Sequence, residues 1–224
     1  MEIDPLEVKA ESERVIRLLG GQVLDWLPYL EHTSIRSSTE IEDRALVMNA
    51  MIQIYFKAPI NVIHDWIKTN QLTHSLSNFE ADVLSRETGK RSFFFRKTNH
   101  LSRQEMTNLY WYIEALWGFA WAGSFISELP IDQPVGDSLA SYLPNIQRNE
   151  DTTRFRSHFV LRSEDEVYQM RDLYFRAHWY AREGQLRRFN TKPFDMDIIM
   201  ERRHALEWMS DRTLEDWEDA SENT

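Results

Sequence analysis

A chain of 224 residues is long enough for one large domain with a substantial core, or at most two small ones. Its eight tryptophans and ordinary apolar content exclude disorder, and the absence of cysteine excludes disulfides, thiolate metal sites and a cysteine nucleophile. The net charge of −10 disfavours general binding to nucleic acid or anionic membranes and suits a soluble protein or the partner of something basic.

The first residues, MEIDPLEVKAESERV, are acidic and lack the apolar run of a signal peptide, so a cytoplasmic location is expected. Asp4-Pro5 places an N-cap before a proline at the first helical position, which predicts a helix to Leu19, stopped by Gly20-Gly21. Thr39 with Glu42 reads as a capping box opening a helix to about Lys57, and Pro59 starts a short helix through Trp66. Ser77 with Glu80 caps a further helix, expected to end at Gly89.

The segment GKRSFFFRKTNHLSR, residues 89–103, is a basic, aromatic interruption. Its Phe93 to Lys97 core could stack bases, although loops of this kind more commonly pack their aromatics and solvate their charges. Ser102 and Glu105 then box a helix whose run from Leu109 to Phe125, LYWYIEALWGFAWAGSF, is apolar, aromatic or small nearly throughout, with one charge, Glu114. A helix apolar on all sides belongs in a protein interior, and this one is short of the about 20 uncharged residues that a bilayer requires.

An irregular region follows from Ser127 to Arg162, with room for a strand at Phe155 to Leu161. Ser163 and Glu166 box a helix that should end near Gly184, and Asp195 caps a last long helix to about Ser210. The remaining residues, 211–224, hold six acids against one arginine and read as a loosely docked acidic tail. The expected fold is therefore all-α: a single multi-helix domain over residues 1–210 around a buried central helix. One short strand pair has room in the 89–103 and 127–162 loops.

Several charges fall inside apolar stripes. Arg44 lies beside the stripe Ile41, Ala45, Met48, Ile52, Tyr55; His178 sits within Val167, Met170, Tyr174, Ala177, Ala181; Arg202 lies between the ends of Ile198, Ile199, Ala205, Leu206, Met209. Buried charges must find partners. One reading is a structural network in which Arg44, Arg176 or Arg202 holds Glu114 with His178 nearby. The other counts more inward cations than carboxylates and makes Arg44, Glu114, Arg176, His178, Arg202 and His204 a pocket for a phosphate or carboxylate ligand.

Glu201 and His204 form one E-x-x-H, half of a di-iron motif with no second copy, so no metal or other cofactor is expected. The P-loop, G-x-G-x-x-G, G-x-S-x-G and H-E-x-x-H patterns are absent from the sequence.

The blocks WYIEALWGFAWAGSFISELP, DLYFRAHWYARE and MERRHALEWM, followed by Trp217-Glu218-Asp219, resemble the successive blocks of a bacterial family, domain of unknown function 4272. Leu27-Pro28, IRSSTEIEDRAL and Leu76-Ser77 with Glu80 agree upstream, so the likeness runs from about Val15 to Asp219. It implies as characteristic positions Arg44, Glu114, Trp121, Arg176, His178, Trp179, Glu201, Arg202, His204, Ala205 and Trp208. The chain departs at Glu207, where the family is expected to carry asparagine, and at Glu218, where aspartate is usual. The resemblance bears on fold and residues, since the family's role is by its name not established.

The expected function is that of a non-enzymatic cytoplasmic binding protein, in its most concrete form an immunity, antitoxin-like protein that neutralises a basic partner. Glu215, Asp216, Glu218 and Asp219 are the candidate partner-binding residues. The competing expectation is a small-molecule-binding protein or enzyme using the buried Glu/His/Arg cluster on an anionic ligand.

Overall fold

The computed structural model describes residues 3–86 and 101–220. The helices are α1 (Pro5–Leu18), α2 (Ser38–Tyr55), α3 (Ile60–Thr69), α4 (Asn78–Ser85), α5 (Arg103–Ala122), α6 (Leu139–Tyr142), α7 (Thr153–His158), α8 (Glu164–Arg187) and α9 (Met196–Ser210). No strand occurs among the described residues, and the fold is all-α. The expected basic segment, with its Phe93 to Lys97 core, falls outside them from residue 89 to 100.

The main packing runs α1 on α8, α8 on α9, α9 on α5, α5 on α2, α2 on α3 and α3 on α4. Helix α5 is therefore the middle of the stack, and every residue from Glu114 to Ala122 is buried. Helix α2 is also buried on all sides, from Asp43 to Ile52, because α5 covers one face and α3 another. A single-stripe reading of α2 understates this. Between α5 and α9, a Cβ placed on Gly118 would lie 3.4 Å from the Cβ of Ala205. The small pair lets these two helices approach closely, one turn from Glu114.

Serine–glutamate capping boxes open α4, α5 and α8 at Ser77, Ser102 and Ser163, and Asp4 and Asp195 cap α1 and α9. The start of α2 differs from expectation. Its box is Ser37 with Glu40, two residues before Thr39. Arg36 explains the choice, because its backbone N–H bonds to the Met209 carbonyl at 2.8 Å and its Nε to that of Trp208 at 2.8 Å. The chain ahead of α2 is thereby fixed to the end of α9.

Helix α8 passes through Gly184 to Arg187. A Cβ on Gly184 would lie 1.9 Å from Thr191 Cγ2, so the glycine serves close packing of the following loop, and Arg188, at φ 59°, ends the helix instead.

The strand expected at Phe155 to Leu161 is instead α7 followed by an extended connector. The Val160 and Arg162 N–H groups bond to the Gly123 and Ala122 carbonyls at 3.1 and 2.9 Å, and the Arg162 side chain reaches those of Trp121 and Ile126 at 2.8 and 3.0 Å. The end of a helix leaves carbonyls without intrahelical partners, and this connector satisfies them for α5. A strand would need a neighbouring edge; this segment has a helix end.

The C-terminal residues correct the loosely docked tail. Trp217 and Ala220 are buried, and Arg36 Nη2 donates to the Asp211 and Leu214 carbonyls at 2.9 and 2.6 Å. The helical domain thus continues to Ala220, the last described residue.

Candidate functional site

Arg202 on α9 is fully buried, and all five of its N–H donors have acceptors. Nε and Nη2 donate to Glu114 Oε2 at 2.9 and 2.6 Å; Nη1 donates to the Pro130 carbonyl at 2.6 Å and the Tyr174 hydroxyl at 3.2 Å; Nη2 also reaches the Gln133 carbonyl at 3.0 Å. The second oxygen of Glu114 accepts the Val135 N–H at 3.1 Å. Burial pushes the Tyr174 hydroxyl up to about 12, so it stays a neutral donor and acceptor beside the pair.

Arg44 and Arg176 have partners elsewhere. Arg44 on α2 pairs with Glu80 and donates to the Ser75 carbonyl at 2.9 Å. Arg176 grips Asp172, one turn earlier on α8, through two hydrogen bonds of 2.8 Å, and reaches the Pro28 carbonyl at 2.9 Å. His178 is buried in α8. Of the three arginines expected as partners of Glu114, Arg202 is the one that the structure places on it.

Five arginines (36, 44, 176, 202, 203) and five carboxylates (43, 80, 114, 172, 207) are buried among the described residues. The expected excess of inward cations is thus corrected to a balance. Asp172 was legible from its i, i+4 spacing to Arg176. Glu80 was hidden by its second role, since it both caps Ser77, accepting its N–H at 2.9 Å, and pairs with Arg44. Glu207, the departure from the family pattern, accepts from Arg171 at 2.7 Å and Arg203 at 3.3 Å, so its charge is matched.

His204 belongs to the C-terminal dock. Its Nε2 lies 2.8 Å from the Trp217 carbonyl, and its ring packs on that indole at a 33° tilt with centroids 4.2 Å apart. Trp217 also packs against Tyr112, Phe119 and Trp208, beneath the Arg44 guanidinium.

Asp216 accepts the Asn78 N–H at 2.9 Å, and Glu218 accepts the Ser77 hydroxyl at 2.8 Å. Loss of water, then the hydrogen bond shared with Asp216, pushes the Glu218 carboxyl up to about 7. Asp216, despite its own desolvation, is held below its ordinary value by hydrogen bonds from Glu218, Asn78 and Trp217. Two of the four expected partner-binding residues, Asp216 and Glu218, are therefore engaged with the start of α4, although Glu218, like Glu215 and Asp219, keeps an exposed surface and Asp216 is half-buried.

A groove of about 500 Å³ lies between α1 and α8. Glu7, Glu11 and Glu166 line it above an apolar floor that includes Val8, Trp121 and Leu173. The cation in its lining, Arg162, already donates to Glu166 at 2.7 Å and to three backbone carbonyls. No cluster of metal-ligating side chains occurs among the described residues, and no helix there is long and apolar enough to cross a membrane.

The model of a family described as a domain of unknown function, DUF4272, matches residues 9–220. No curated protein and no solved structure matches the chain.

Proposed function

The chain belongs to the DUF4272 family, and we propose that this member is a non-enzymatic, cytoplasmic binding protein that grips a basic partner protein in the groove between α1 and α8. Its most concrete form is an immunity protein that neutralises the partner. The observation that carries the reading is the acidic rim of Glu7, Glu11 and Glu166 over the apolar floor. An apolar seat with a charged rim favours a segment presenting both apolar and cationic side chains, and charge complementarity speeds the encounter. The buried cluster supports the same reading from the other side. Each buried guanidinium already faces a carboxylate of its own.

An amphipathic lysine–leucine peptide, titrated calorimetrically at low and high salt, tests the reading. Saturable binding that weakens with salt is expected, together with its loss in Glu7→Lys/Glu11→Lys. Glu166, which also caps α8, is left in place. Equal binding by the reversed variant, with unchanged salt dependence, would overturn the groove as the binding face.

A further inference from the structure

A second cavity, of about 410 Å³, opens between α2, α5 and the segment 135–147 that carries α6, away from the acidic groove. Its volume is in the range of small-molecule sites, and Ile52, Leu116, Leu139 and Leu143 give it an apolar wall. Its polar lining consists of one carboxylate and four side-chain amides. Asn49 is 3% exposed and directs its amide N–H to the Pro144 carbonyl at 3.1 Å, while Gln53 directs its own to the Asn49 carbonyl at 3.4 Å. The amide oxygens of both remain as acceptors for a ligand. Asp137 adds a carboxylate at the rim, and no lysine, arginine or histidine is among the lining residues. Phe56, 55% exposed, offers a ring face at the mouth.

We propose that this cavity binds a small apolar molecule carrying an ammonium group. The apolar body fills the space against Ile52 and Leu116; the ammonium donates to the Asn49 and Gln53 oxygens, with Asp137 supplying the counter-charge and Phe56 a cation–π face. The wall is set before the ligand arrives, because Val135 is held by Glu114 and the residues just before it by Arg202. A carboxylate or phosphate ligand meets the Asp137 carboxylate and no cation in the lining, which disfavours it.

The test is calorimetry and thermal shift of the full chain with 2-phenylethylammonium and hexylammonium, against 3-phenylpropionate and hexanoate as matched anions. Saturable binding and a rise in Tm are expected for the two ammonium ions only. Gln53→Leu and Asp137→Asn should each weaken binding by about tenfold or more. Ala140→Trp, at an exposed lining position, should block the cavity without unfolding the protein. Binding of the anions as strong as that of the ammonium ions, no saturable binding by either ammonium ion, or unchanged binding by a folded Ala140→Trp variant would each overturn the proposal.

Discussion

Arg202 and Glu114 stand 88 residues apart in sequence and share one carboxylate oxygen: the arginine's Nε and Nη2 both donate to Oε2, at 2.9 and 2.6 Å. That one-sided grip leaves Oε1 for the Val135 N–H. The pair thus fastens α5, α9 and the loop from Leu129 to Val135 at one point, with the Pro130 and Gln133 carbonyls closing the arginine's remaining donors. A buried pair adds little net stability over an apolar replacement, but removing one partner leaves an unmatched charge in low dielectric.

Glu114→Ala should therefore destabilise the fold by about 3–5 kcal/mol. Glu114→Gln should cost less, since an amide oxygen can still accept from Arg202. Urea unfolding decides the matter: an alanine variant within about 0.5 kcal/mol of wild type, the range of surface changes, would refute the clamp.

Trp217→Ala should cost about 3–5 kcal/mol, as aromatic truncations in cores do. It should also open residues 211–220 to protease, because His204, Tyr112 and Trp208 lose the ring that they pack on. Unchanged proteolysis in this segment would show that Arg36 holds it without the indole.

The carboxyl of Glu218 moves from 4.5 to about 7 in the folded protein. Between those values the native state keeps a proton that the unfolded chain has released. The group's contribution is thus fully present below 4.5 and is lost as pH rises through about 7, where the carboxylate must ionise with part of its water removed and beside Asp216 and Glu80. Glu218→Gln should remove this dependence. Unfolding free energies of both proteins, measured from about pH 5 to about pH 8, should diverge with rising pH. Parallel curves would contradict the assignment.

Glu215 and Asp216 are adjacent acids with different work. Glu215→Lys should change stability by no more than about 0.5 kcal/mol, since the residue is exposed. Asp216→Lys removes the cap on the Trp217 N–H, at 2.6 Å, and the acceptor for Asn78, and should cost about 1–2 kcal/mol. Equal melting temperatures for the two variants would argue against a built-in C-terminal dock.

Features that rest on contacts within four residues were legible before any packing was known. The boxes at Ser77, Ser102 and Ser163, the caps at Asp4 and Asp195, and the apolar run of α5 are all local, and the structure carries each of them. The sequence also held the Glu114 and Arg202 positions, as charges on apolar faces. The pairing of side chains depended on helix packing. Ser37 caps α2 because Arg36 is tied to the end of α9, a contact some 172 residues away that no local pattern encodes. Arg202 rather than Arg44 or Arg176 meets Glu114 because Gly118 and Ala205 let α5 and α9 approach beside that pair. The acidic run after Ser210 reads as solvated, yet Trp217 draws it onto the core, since burying an indole outweighs ordering a short segment. Local spacing encodes where helices begin; which side chains meet depends on how the helices pack.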